Sequence, residues 1–237
     1  MNQVTLKLKP GDYQTEEAYR TLRTNLQFCG EEKKVIALTS CTPNEGKSTV
    51  SLQLAVSLAK SGKKTILIDS DLRKSVLMGA TRPSGQKGLR GLSHYLSGQN
   101  DLQEVVYITD TPNLSILYAG PFSPNPAELL SGRRFKGMLQ ALRKVYDYVI
   151  VDTPPIGSVI DGAVVAGNCD GVILVIESGA ISYRFAQSVQ EQLERSGCPV
   201  LGVVLNKVDL HKSGYGRYYG KYYGKYGQDD GNGGDGR

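Results

Sequence analysis

Ser40-Cys-Thr-Pro-Asn-Glu-Gly-Lys-Ser-Thr49 follows a short β-branched run, Val35–Ser40 (VIALTS), and precedes a segment of helical spacing around 48–61. A strand that turns through such a loop into a helix points successive backbone N–H groups and a positive helix end at one spot. That arrangement suits phosphate oxygens. In this reading the loop backbone at Pro43, Asn44, Glu45, Gly46, Lys47, Ser48 and Thr49 wraps the phosphates. Lys47 reaches the β- and γ-phosphates, and the Ser48 hydroxyl ligates Mg²⁺. The stretch departs from GxxxxGK[ST] at one place, where Cys41 replaces the usual opening glycine.

Two further runs follow the same logic. Thr65–Asp69 (TILID) opens into Ser70-Asp-Leu-Arg73, and Tyr148–Asp152 (YVIVD) opens into Thr153-Pro-Pro155. Each hydrophobic run delivers carboxylates (Asp69 and Asp71, then Asp152) to a strand's C-terminal end, where ligands bind in open α/β sheets. Mg²⁺ takes one or two carboxylates besides phosphate oxygens and water, so Asp69 and Asp152 are expected to cradle it with Ser48. Each aspartate alone is equally at home as a helix cap or turn residue. Val172–Ile176 and Val200–Leu205 supply more strands, and helical spacing recurs around 133–146 and 182–195. The alternation predicts a P-loop NTPase-type layered α/β fold with a mostly parallel central sheet flanked by helices. Glu104–Thr109 and Leu114–Leu117 read as β-like pieces, within a stretch, 72–130, that is otherwise hard to read.

Leu205-Asn-Lys-Val-Asp209 contains NKxD, which reads guanine in GTPases. Those enzymes also need a glycine N–H from DxxG, and here that position is Pro155, which has no N–H to give. The amide of Asn206 offers a donor and an acceptor and serves an adenine edge equally well. ATP is the expected nucleotide.

The composition of the 237 residues, 40% hydrophobic and 22% charged, supports a real core and excludes a wholly disordered chain. No aliphatic run is longer than the five residues Val172–Ile176, whereas a membrane span needs about 20. Residues 1–12 lack the apolar core of a leader peptide. Cys29, Cys41, Cys169 and Cys198 show no CxxC or CxxH spacing. A cytoplasmic protein is expected. Arg73, Lys74, Arg82, Lys87 and Arg90 make residues 72–100 basic, which reads as a solvated face or as a patch for anionic partners. No nucleic-acid recognition motif accompanies it.

The chain divides at Leu210, beyond which no Ala, Val, Ile, Leu, Met, Phe or Cys occurs. Residues 211–237 cannot bury enough apolar surface to offset ordering entropy and are expected to form a flexible tail on a 1–210 domain. Six of the 14 tyrosines fall within residues 215–226: Tyr215, Tyr218, Tyr219, Tyr222, Tyr223 and Tyr226. Such a segment stacks on nucleic acid or self-associates, or it serves as a set of mobile acceptor hydroxyls beside a nucleotide site. At the other end, Thr15–Phe28 reads as a helix with Ala18, Leu22 and Leu26 as its buried stripe. Glu17, Arg20 and Arg23 form a separate charged stripe, which from spacing alone is a solvated face.

SCTPNEGKST, ILIDSDLR, VIVDTPP and the terminal tyrosines together resemble the bacterial tyrosine kinases (BY-kinases) of capsular and exopolysaccharide systems, the CpsD/CapB type. Glu17-x-x-Arg20-x-x-Arg23, Gly91-Leu-Ser-His-Tyr-Leu96 and Asn125-Pro-Ala-Glu-Leu-Leu130 extend the likeness over nearly the whole chain. The resemblance implies a kinase that uses ATP and Mg²⁺ to phosphorylate its own tail in trans. For such a transfer Lys47, Asp69, Asp71 and Asp152 are the expected catalytic residues: a phenol is a weak nucleophile near pH 7, so Asp69 or Asp71 is expected as base, with Arg73 aiding orientation or charge compensation. The resemblance also implies a homo-oligomer, a ring in the family, built partly through Glu17, Arg20 and Arg23. A separate transmembrane adaptor that activates the kinase at the inner membrane face, an opposing tyrosine phosphatase, protein-tyrosine substrates and control of polysaccharide export complete the implied picture. A MinD/ParA-like ATPase switch, and less readily a GTPase, are the competing readings.

Overall fold

In the computed structural model, which describes residues 2–8, 11–84 and 88–209, the apolar runs lie side by side in one eight-stranded sheet. The elements in chain order are β1 (Asn2–Val4), α1 (Tyr13–Phe28), β2 (Val35–Ser40), α2 (Lys47–Lys60), β3 (Thr65–Asp69), α3 (Leu77–Thr81), α4 (Leu92–Leu96) and α5 (Leu102–Val105). They continue with β4 (Tyr107–Thr109), β5 (Leu114–Leu117), α6 (Pro126–Ser131), α7 (Arg133–Val145), β6 (Tyr148–Asp152), α8 (Asp161–Ala166), β7 (Gly171–Glu177), α9 (Tyr183–Arg195) and β8 (Val200–Asn206). The strand order is β1-β4-β5-β3-β6-β2-β7-β8. From β5 to β8 the strands run parallel, while β4 pairs antiparallel with β5 and parallel with β1. Every residue of β2, β3 and β6 is buried. Strands covered on both faces read as unbroken apolar runs rather than alternating ones, and for that reason they stand out in the sequence.

One sheet face packs on α1, α2 and α3 through Leu26, Leu54, Leu58 and Leu77, beneath Ile36, Leu38 and Ile150. The other carries α4 to α9, with Leu92, Leu130, Phe135 and Leu142 over Ile66 and Val149, and Val189 and Leu193 over Leu174. Because the central strands are parallel, their C-terminal ends share one edge. The ends of β2, β3 and β6, with the residues named for nucleotide and metal, gather there.

Three expectations are corrected. α1 begins at Tyr13 because Asp12 caps it, accepting the Thr15 N–H at 2.7 Å. Its inward stripe is Tyr19 and Leu22, both partly buried, and the buried Leu26, whereas Ala18 is exposed; the larger tyrosine ring takes the place against the core. Glu104–Thr109 is not one β piece: Leu102–Val105 is a helical turn, whose Glu104 carboxylate reaches back to the Asp101 N–H at 2.9 Å. Strand geometry begins only at Tyr107. The tyrosines of 215–226 and Lys87 lie outside the described residues.

Candidate nucleotide site

β2 enters the loop through Cys41, whose fully buried side chain packs with Ala37, Ile156 and Ala166. A Cβ at Gly157 would come within 2.3 Å of the Cys41 carbonyl oxygen. The room usually left by an opening glycine is thus found across the contact, after β6. Burial, and then the Glu45 carboxylate, push the Cys41 thiol up to about 12, so it is a packing group rather than a nucleophile.

Asn44 (φ 68°) and Gly46 (φ 89°) both take left-handed backbone, which turns the chain so that α2 starts at Lys47. Glu45 is buried, and its carboxylate is turned into the protein, accepting from the Thr42 N–H (2.7 Å) and the Glu177 N–H (3.4 Å). Its side chain fastens the loop. The NKVD segment does the same from β8: the Asn206 amide nitrogen donates to the Glu45 carbonyl (2.8 Å), and Lys207 Nζ to the Asn44 carbonyl (2.7 Å) and Glu177 (2.8 Å). Asn206, expected at an adenine edge, therefore has its amide nitrogen on the loop backbone. A Cβ at Gly46 would stand 2.1 Å from that nitrogen. Pro43, Asn44 and Thr49 are exposed around the loop.

Behind the loop, Lys47 Nζ lies 3.3 Å from Asp152 Oδ1 and 3.2 Å from Ser48 Oγ, and Ser51 Oγ donates to the same Asp152 oxygen at 3.1 Å. Lys47 is 8% exposed and Asp152 1%. Asp69 stands opposite Asp152 in the β3–β6 ladder, fully buried. It accepts the Asp71 N–H (3.2 Å) and the Ser75 hydroxyl. Burial first, and then the neighbouring Asp152 charge, push Asp69 up to about 7, against the opposing pull of Ser75, the Asp71 N–H and Lys47. Asp152 is likewise raised by burial, with Lys47, Ser48 and Ser51 opposing.

Two buried carboxylates beside a single ammonium are poised for more positive charge. With the Ser48 hydroxyl they form a hard-oxygen donor set that fits Mg²⁺. Among the described residues no three carboxylate, imidazole or thiol groups form a metal cage, so phosphate oxygens and water would complete the shell.

Asp71, 8% exposed, turns the chain by accepting the Arg73 (3.2 Å) and Lys74 (2.9 Å) N–H groups. Arg73 itself grips the buried Asp161 with two bonds, Nε at 2.6 Å and Nη2 at 3.2 Å. This ties the segment after β3 to the start of α8. Glu17 and Arg20 pair on α1 at 3.3 Å. Arg23, half-buried in the same groove as Arg20, also donates its guanidinium to the Ser57 carbonyl at 2.9 Å, holding α1 to α2 about 15 Å along the helix from Lys47. Ser51, Ser75 and Asp161 carry no motif that would mark them in the sequence, whereas Lys207 lay within NKVD.

Among the described residues no helix is long and apolar enough to cross a membrane. A family model described as an AAA domain matches residues 33–195. A solved MinD cell-division ATPase from Pyrococcus furiosus, 23% identical with a TM-score of 0.61, covers 75% of this chain and 74% of its own; it shares the fold. The kinase domain of the Escherichia coli tyrosine kinase ETK is nearer, with 34% identity, a TM-score of 0.77, and 81% of this chain and 75% of that one covered. The tyrosine-protein kinase CpsD of Streptococcus agalactiae is 45% identical over 204 residues, 86% of this chain and 88% of its own length. With the phosphate loop, the buried lysine and the carboxylate pair in place, these likenesses show that the chain belongs to the bacterial protein-tyrosine kinase (BY-kinase) family.

Proposed function

We propose that this kinase transfers the γ-phosphoryl group of ATP to tyrosines of its own 215–226 cluster, one copy phosphorylating another. The observation that carries the reading is the buried Lys47–Asp152–Asp69 group at the mouth of the phosphate loop. The backbone of residues 43–49 holds the phosphates and Lys47 neutralises charge on the transferred group. Ser48 and Asp152 would hold Mg²⁺, joined by Asp69 where Asp71 is the base, and the ion would supply positive charge to the phosphates. The acceptor oxygen attacks phosphorus, the bond to the ADP oxygen breaks, and the phenolic proton passes to Asp69 or Asp71. A phenol titrates near 10 and needs such a base at neutral pH. Adenine rather than guanine follows from Pro155, which has no N–H where a GTPase needs one.

Full-length protein incubated with Mg-ATP is expected to gain mass in steps of about 80 Da. The chain with all six cluster tyrosines changed to Phe gains none; retained phosphate in that variant would remove the tail from the account.

The working assembly in this proposal is a homo-oligomer held partly by the α1 charges. A separate membrane adaptor recruits and activates it on the cytoplasmic side, a phosphatase reverses it, and the cycle regulates capsular or exopolysaccharide synthesis. Because Arg23 braces α2, the interface test uses only Glu17 and Arg20. Glu17→Ala with Arg20→Ala is expected to lower the mass seen by light scattering. The exposed pair contributes at most about 1 kcal/mol to folding, so the melting temperature stays within about 3 °C. An unchanged mass argues against the interface.

A further inference from the structure

Three large apolar side chains stay in water around segment 69–75: Phe122 (70% exposed), Ile160 (59%) and Val76 (52%). Each adjoins a residue bonded to that segment. Ser123 donates its N–H to the Leu72 carbonyl (3.3 Å), Asp161 holds Arg73, and Ser75 donates to Asp69. Phe122 is displayed on a loop that the fold fixes firmly. Leu92 and Ser93 donate their N–H groups to the Tyr118 and Ala119 carbonyls (2.7 and 2.9 Å), and Gly91 lies too close to Gly120 for any Cβ between them. Ser123 is buried, and Pro121, Pro124 and Pro126 restrict the backbone on either side. GLSHYL thus helps to fix the loop from which Phe122 projects into solvent, one hydrogen bond away from the segment that carries Asp69 and Asp71. An aromatic ring fixed in advance in solvent has the character of a binding anchor.

We propose that Phe122 is the apolar anchor of the acceptor subsite. It packs against one ring of the Tyr218-Tyr219 or Tyr222-Tyr223 pairs while a neighbouring tyrosine presents its hydroxyl to Asp69 and Asp71. The inference rests on the tail-phosphorylation reading. Two observations name the occupant. Tyrosine rings are the only large apolar groups in residues 211–237, so a ring is what that segment brings to an apolar surface. The described chain ends at Asp209, just beyond the C-terminal end of β8, on the sheet edge where β3 and β5 also end. Five strand spacings separate β8 from β5 in the sheet order, about 24 Å, and nine extended residues reach about 30 Å. Tyr218 and those after it are therefore within range, from the same copy or from a neighbour.

The test uses two full-length chains. The acceptor carries Lys47→Met and an intact tail; the kinase has its six cluster tyrosines changed to Ala, and transfer is followed by intact mass. Adding Phe122→Ala to the kinase is expected to raise the KM for acceptor about three- to tenfold. The KM for ATP and the rate at saturating acceptor stay within about twofold, because stacking on a remote ring is binding common to ground and transition state. Phe122→Tyr restores the KM. An unchanged acceptor KM overturns the subsite. A fall in oligomer mass with Phe122→Ala, read by light scattering, overturns it in favour of a subunit contact. No transfer from the parent kinase to the acceptor, with the adaptor's cytoplasmic segment added to the mixture, defeats the tail reading itself, and the subsite with it.

Discussion

Lys47→Met is expected to lower phosphate incorporation about 10³-fold, the loss seen when a single charge-stabilising donor is removed from a transition state, while the chain stays folded. The ammonium sits between Asp152 Oδ1 and Ser48 Oγ, so the fold itself holds it beside the loop. Methionine fills the same volume with no donor, and the charge building on the transferred group then lacks its nearest counterion. The effect on folding is smaller, because Asp152 keeps the Ser51 hydroxyl. Burial already favours the protonated acid, so the carboxylate can take up a proton instead of remaining a stranded charge. A loss of about 2 kcal/mol is expected, or about 4–8 °C in melting temperature for a domain of this size. Intact-mass kinetics beside thermal circular dichroism measure both. Transfer within tenfold of the parent would mean that Lys47 is not the residue neutralising the phosphoryl group.

That the site was legible while its supports were not has a physical reason. β2, β3 and β6 are buried on both faces, so continuous aliphatic runs are forced on them, and the polar residue ending each run is conspicuous. Asp69 and Asp152 end such runs, and Lys47 opens the helix that follows β2. The parts that orient them are ordinary polar residues whose meaning is tertiary. Nothing adjacent to Ser75 says that its hydroxyl will meet Asp69, and Asp161 is bonded by an arginine 88 positions away. Glu45 looked like one more loop residue facing phosphates, yet its carboxylate is turned inward. The difficulty of 72–130 has the same origin. Its helices α3 to α6 are four to six residues long, too short for a period to register, and β4 has only three residues. Ala18 and Tyr19 are hard to tell apart in sequence because neighbouring helix positions differ by only 100°, and a tyrosine is apolar in its ring and polar at its tip.

Gly91→Ala tests whether that illegible region is as rigid as the acceptor subsite requires. The backbone of Gly91 is extended, at φ −145°, so alanine meets no conformational strain there. Its methyl, however, would lie 2.3 Å from the Gly120 nitrogen, 2.4 Å from the Tyr118 oxygen and 2.6 Å from the Gly120 Cα. All three are backbone atoms, which cannot rotate away as a side-chain tip would. The start of α4 must then lift off the loop after β5, weakening the Leu92–Tyr118 and Ser93–Ala119 hydrogen bonds. Overpacking of this kind costs about 1–3 kcal/mol and each weakened bond about 1 more. A fall of about 10 °C in melting temperature is expected. Gly137→Ala in the middle of α7 is the matched control: nothing lies within 4 Å of its Cβ position, and the exchange should stabilise by about 0.5–1 kcal/mol. Opposite signs from the same one-methyl change would show that Gly91 is kept small by the loop it touches. A melting temperature for Gly91→Ala within 2 °C of the parent would mean that the loop yields. A loop that yields so easily could not hold Phe122 still enough to select a ring.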